Sequence, residues 1–182
     1  MTVRQQLRSY TALFPMLRKS GSLDLMSWLR HRPQLLVGIF AYETALATSG
    51  RMDPRLKSLA TLKAAALVNC EFCLDIGSTM AKMTGVTEAQ LVALPHYREA
   101  DVFDADETLV LEFAEAISKT PALVPKDLRD RLVDRFGAAA VAELSAAVAW
   151  ENSRGRLNQA LGARPAGFSA GGACAIAEHP TS

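Results

Sequence analysis

Hydrophobic side chains return every three or four positions along almost the whole chain, and no stretch of β-branched and aromatic residues alternates between turn signals. A repeat near 3.6 belongs to an amphipathic helix, whereas a half-buried strand alternates at every second residue. The pattern therefore predicts an all-α protein. Helices are expected at Val3–Arg18, Leu23–Leu29, Gln34–Thr48, Pro54–Val68, Glu71–Thr84, Glu88–Leu94, Glu107–Lys119, Lys126–Phe136 and Ala138–Leu161.

The breaks between these stretches carry helix punctuation. Gly50 reads as a stop, Asp53 as an N-cap and Pro54 as the first helical residue, where a missing N–H costs nothing. Gly85 suits a left-handed C-terminal position and Thr87 the next cap, Asp106 and Glu107 sit at a positive helix end, and Gly137 separates two helices. The Ala-rich helices 54–68 and 138–149 call for close neighbours, within the chain or from another subunit. After residue 162 the periodicity stops in "GARPAGFSAGGACAIAEHPTS". Residues 1–162 are thus expected to form one helical domain and 163–182 a Gly/Ala/Pro-rich tail that docks on it, docks on a neighbour, or frays.

Composition narrows the function classes. The 182 residues hold 20 Lys and Arg against 19 Asp and Glu, a formal charge of +1, and no basic block, which argues against nucleic acid or an anionic membrane as partner. No secretory leader or run of eighteen uncharged apolar residues is present, so a soluble, cytoplasmic protein is expected. Three cysteines are too few for a disulfide framework.

Two of the three form the C-x-x-C of "VNCEFCLDIGS", Cys70 and Cys73. Residues three apart share a helix face, so their sulfurs can meet. Redox chemistry, metal binding and plain packing are the candidate uses. Zinc needs four ligands, and beyond the pair there are only Cys174 and the isolated His31, His96 and His179, so neither metal nor cofactor is expected. Asn69 reads as the N-cap, which would set Cys70 in the first helical turn. A thiol of pKa about 8.5 is only about 3 % ionised at neutral pH, and half-ionisation requires about 2 kcal/mol, more than the 0.3–1 kcal/mol that a helix end usually supplies. A further group must help. Glu71 and Asp75 flank the pair as possible proton shuttles, Lys63 lies seven residues upstream, and Cys174 is a candidate third thiol carried by the tail.

The segment from Arg55 to Leu94, "RLKSLATLKAAALVNCEFCLDIGSTMAKMTGVTEAQLVAL", resembles the C-x-x-C core of the carboxymuconolactone decarboxylase and alkylhydroperoxidase AhpD-like family. Ala149–Cys174 is similar to the C-terminal part of one AhpD-like subgroup. The resemblance implies an all-helical bundle assembled as a dimer, trimer or hexamer. It also implies a peroxidase-type oxidoreductase in which Cys73 attacks a peroxide, Cys70 resolves the sulfenic acid as a disulfide, and an external thiol reductant restores the pair. The family's relay glutamate and histidine align with Ser58 and Gly77. Serine is no base at neutral pH, and glycine leaves room beside the sulfurs, so peroxidase efficiency is expected to suffer while disulfide chemistry survives.

The later "AWENSRGRLNQALG" sets Trp150, Glu151, Arg154, Arg156 and Asn158 at the end of an Ala-rich helix, with Glu151, Arg154 and Asn158 on one face. These residues either line a pocket near the cysteines or form a salt-bridge cluster. Two functions follow: a thiol oxidoreductase for hydroperoxides or disulfides, or a non-peroxidase family member that binds or converts a small organic acid or lactone. A helical adaptor would instead show an apolar patch and no pocket at the cysteines.

Overall fold

A computed structural model of the protein describes residues 20–178, with side chains from Leu25 onward. The described residues form α1 (Ser20–Leu29), α2 (Pro33–Thr48), α3 (Pro54–Leu67), α4 (Glu71–Met83), α5 (Glu88–Ala93), a 3-10 turn at Leu94–His96, α6 (Ala105–Ser118), α7 (Lys126–Phe136) and α8 (Ala138–Ala160), with no strand among them. The expected helix Val3–Arg18 and His179 lie outside the described residues. No helix among those described is long and apolar enough to cross a membrane.

The ends form as the punctuation predicts. Asp53 accepts the N–H groups of Arg55 and Leu56 ahead of Pro54, and Thr87 and Asp104 each close a capping box, with Gln90 and Glu107. Gly85 (φ +97°) and Gly137 (φ +82°) take the left-handed conformation that a Cβ disfavours. The stop expected at Gly50 falls one residue earlier, at an extended Ser49. There Glu143 of α8 pins the turn, accepting from the Ser49 hydroxyl at 2.6 Å, the Arg51 N–H at 2.7 Å and the Lys57 ammonium at 2.6 Å.

At the centre stands α3, packed against α4, α6 and α8. Its alanines explain this position: Ala60, Ala64, Ala65 and Ala66 are buried, and small side chains let three helices close on one axis. The alanines are thus covered from within the chain. One apolar cluster gathers Leu59, Leu62, Leu91, Leu94 and Leu111 around both cysteines, and the other joins Ala60, Ala64, Val110, Leu128, Leu132 and Leu144. Residues 163–178 run without helix over α4 and α3, with Phe168 and Ala175 buried in the first cluster.

Candidate functional site

The cysteines sit where α3 turns into α4. Asn69 adopts φ +54°, a left-handed turn that asparagine tolerates better than most residues, and the Cys70 N–H donates to the Ala65 carbonyl at 3.0 Å. The cap therefore shifts by one residue from the expected Asn69. Cys70 is itself the N-cap, and its sulfur accepts the Cys73 N–H at 3.2 Å. The chain reverses so tightly that the Cα atoms of Cys70 and Cys73 lie 5.2 Å apart, and their sulfurs are joined as a disulfide.

The other wall is α8, and two of its residues make the approach. A Cβ at Gly155 would stand 2.7 Å from Val68 Cγ2 and 3.3 Å from Cys70 Cβ, so only glycine lets α8 come this near. One turn later the Asn158 side-chain amide donates to Cys73 Sγ at 3.3 Å and lies 3.8 Å from Cys70 Sγ. Asn158 is buried and its Oδ1 has no hydrogen-bond partner among the described residues. Gln159 adds a bond from its amide to the Val68 carbonyl.

Beside the pair opens a cleft of about 750 Å³ between the α3–α4 turn, the end of α6 and the end of α8. Cys70 is part of its wall and Cys73 is not. Its charged residues are Lys119, Arg156 and Arg164 against Glu71 alone.

Comparison with known proteins gives the following likenesses. Residues 33–116 match the carboxymuconolactone decarboxylase family. The matched segment is a little under half of the chain, and over it the chain is similar to members of that family. It is 40 % identical over 111 residues to the uncharacterised protein YnjA of Escherichia coli K12, a match covering 60 % of each chain, and so spans less than two thirds of that relative. Over 111 residues it is 27 % identical to YdfG of Bacillus subtilis 168, covering 60 % of this chain and 76 % of the relative. Two crystal structures share the fold at 21 % identity. One is ATU0492 of Agrobacterium tumefaciens, described with AhpD-type antioxidant defence (TM-score 0.71, 76 % of this chain and 94 % of that one). The other is the apo debrominase Bmp8 (TM-score 0.73, 91 % and 87 %).

The positions aligned with the family's relay do not meet at the sulfurs. Ser58 lies at the opposite end of α4 from the cysteines, where its hydroxyl accepts from Thr84 at 3.1 Å, because α3 and α4 run antiparallel. The room expected beside Gly77 is filled: a Cβ there would meet Leu62 Cδ2 at 3.0 Å. Glu71 is exposed on the cleft.

Asp75, read as a possible shuttle, is committed elsewhere. It is buried and accepts the N–H groups of Ala166 (2.9 Å), Phe168 (3.0 Å) and Ser169 (2.7 Å) and the Ser169 hydroxyl (2.7 Å). Burial pushes its carboxyl up, but the Ser169, Phe168 and Ala166 bonds outweigh this and hold it below the usual aspartate range. Lys63, also buried, pairs with Glu178 and lies 4.8 Å over the Tyr97 ring, while Cys174 accepts from Ser78 at 3.5 Å.

Trp150 and Arg154 build a cluster with α2 rather than a pocket at the sulfurs. Trp150 stacks on Tyr42 at 4.4 Å and donates to Glu43 at 2.7 Å. Arg154 bridges Glu43 at 2.6 Å and the buried Glu151, and these carboxylates raise its pKa against the opposing effect of burial. The salt-bridge reading of this segment holds for Arg154. Asn158, on the same face, reaches the cysteines, and Arg156 reaches the cleft. Gly155 had only a weak signal, a lone glycine inside a helical run.

Proposed function

We propose that the protein is an AhpD-like thiol oxidoreductase that cycles Cys70 and Cys73 between dithiol and disulfide. The observation that carries the reading is the pair itself: two sulfurs within bonding reach at a helix start, one accepting a backbone N–H and the other a buried amide. These donors meet the energetic shortfall noted above. A hydrogen bond to a charged acceptor contributes about 1.5–3 kcal/mol, and added to a helix terminus it reaches the roughly 2 kcal/mol needed to half-ionise a thiol at neutral pH.

Against a hydroperoxide, the Cys73 thiolate attacks one oxygen, the O–O bond breaks, and the alkoxide leaves as alcohol after taking a proton. The Cys70 thiolate then attacks the Cys73 sulfenic acid, the S–O bond breaks, and the oxygen leaves as water. Both departures need a proton donor, and neither Ser58 nor Gly77 supplies one. Exchange with a disulfide expels a thiolate that leaves without such help. Disulfides are therefore the better oxidants in this reading, and hydroperoxides slower ones. The cycle is assigned to the cytoplasm, whose poise returns the pair to the dithiol.

A second reading draws on Bmp8, whose fold likeness covers 91 % of this chain. A dithiol supplies the two electrons and two protons that turn C–Br into C–H and HBr while the sulfurs join. Bromide release from a brominated aromatic, dependent on Cys73, would separate this reading from the first. For the first, the test is stoichiometric oxidant added to the reduced Cys174→Ser protein: glutathione disulfide should consume both remaining thiols faster than cumene hydroperoxide does, and both left titratable after either oxidant would overturn it.

We also infer a homo-oligomer. Trp28, Leu35, Val37, Phe40 and Tyr42 of α1 and α2 are exposed, an apolar surface of the kind a second copy covers. Light scattering on the purified chain checks this, and a monomeric mass contradicts it.

A further inference from the structure

Cys70 and Cys73 have unequal surroundings, and the inequality bears on how the disulfide is reopened. Both are almost wholly buried, 1 % and 5 % exposed, yet only Cys70 belongs to the wall of the cleft. A thiolate attacks a disulfide along the S–S axis, from the side away from the leaving sulfur. Of the two cysteines a reactant in the cleft meets Cys70, and attack on the Cys70 sulfur displaces Cys73. The displaced sulfur is the one nearer the Asn158 amide, at 3.3 Å against 3.8 Å for Cys70, so the charge that develops on it meets a donor already in place.

The cleft also has a sign. Lys119, Arg156 and Arg164 face it against the single carboxylate of Glu71. Lys119 shares its ammonium with Glu115 at 2.9 Å, and Arg156 donates to the Asn152 carbonyl and side-chain oxygen at 3.3 Å, but the balance among the lining residues stays positive. The volume, about 750 Å³, suits a ligand of tripeptide size and lies within the ordinary span of small-molecule sites.

Resting on the oxidoreductase reading, we infer that this cleft admits the reductant, that the reductant is a small thiol bearing carboxylates, and that it attacks Cys70. The incoming thiolate forms a mixed disulfide with Cys70, the Cys70–Cys73 bond breaks, and Cys73 leaves as a thiolate. A second reductant thiolate attacks the reductant's own sulfur in that mixed disulfide, Cys70 leaves as a thiolate, and the two reductant molecules depart joined as their disulfide. Two thiols are oxidised and one protein disulfide is reduced.

The test compares three small thiols at equal thiolate concentration: 3-mercaptopropionate, 2-mercaptoethanol and cysteamine, which are anionic, neutral and cationic. Reduction of the oxidised protein is followed by quenching with an alkylating agent and weighing the intact chain. At low salt the anionic thiol should act at least about tenfold faster than the cationic one, and the spread should collapse in about 0.5 M salt. Arg156→Glu with Lys119→Glu should reverse the order. Equal rates for all three thiols at low salt overturn the inference and leave the oxidoreductase reading standing, whereas no reduction by any of them removes both. The direction of attack has its own readout. With Cys174→Ser in each background, glutathione disulfide should label Cys70 in Cys73→Ser about tenfold faster than Cys73 in Cys70→Ser, and equal or reversed labelling overturns the assignment to Cys70.

Discussion

Cys73 and Asp75 lie two residues apart on α4 and meet opposite kinds of surroundings. The sulfur faces α8, where one side-chain amide, from Asn158, reaches it at 3.3 Å. The carboxylate faces residues 163–178, where three backbone N–H groups and a hydroxyl converge on it. A group saturated with donors is held in one state, and a group with a single donor keeps the freedom to change partner, charge and bonding. One face of α4 thus fixes the fold and the other keeps its chemistry open. The same division recurs on α8, where Arg154 is locked between Glu43 and Glu151 while Arg156, two residues on, lies on the cleft.

Substitutions on the two faces should separate them. Cys73→Ser removes the disulfide and should abolish thiol–disulfide turnover completely while leaving residues 163–178 as protected from proteolysis as in the native chain; turnover that persists breaks the comparison at its reactive face. Asp75→Ala strands four donors and should cost about 1.5–3 kcal/mol, seen in denaturant unfolding and as faster amide exchange at Ala166, Phe168 and Ser169. The same contact has a pH signature. Because the folded pKa of Asp75 is depressed, its contribution is fully present above the ordinary aspartate value of about 3.9 and is lost as pH falls through the lower folded value. Cleavage within residues 163–178 by an acid-active protease should therefore rise below about pH 4 in the native protein, and cleavage that stays flat contradicts the role given to the carboxylate.

Smaller effects sharpen the reactive face. Gly155→Val places carbon against Val68 and Cys70 and should destabilise the chain by about 1–3 kcal/mol, with unchanged stability showing that α8 does not press on the turn. Asn158→Leu should slow thiol–disulfide exchange by about tenfold, the rate equivalent of about 1.4 kcal/mol at the low end of a charge-assisted bond, and raise the apparent pKa of the Cys73 thiol. A rate and pKa equal to those of the native protein would show that the amide does nothing for the sulfur.

Much of the scaffold was legible because it is local. The helix boundaries within the described residues follow from Asp53, Thr87, Gly85 and Gly137, each acting within a turn of its own position. The meeting of Cys70 and Cys73 is local too, one helical turn apart. What sequence reasoning misplaced depends on pairings between distant segments. Ser58 lies far from the sulfurs because antiparallel packing sets it against Thr84. Asp75 is taken by backbone groups about ninety residues downstream, which have no side-chain signature. Asn69 has the residue type of a cap, but its left-handed turn hands that place to the Cys70 sulfur, an atom outside the ordinary capping preferences.

The central claim is that Cys70 and Cys73 exchange electrons with a molecule from outside. Its most direct measurement is the apparent pKa of each thiol in the reduced protein, read from alkylation rate against pH with Cys174 replaced by serine. The account predicts at least one value well below 7, assigned by mass to Cys70 or Cys73. Two thiols titrating near the ordinary 8.5 would contradict it and leave the pair as packing.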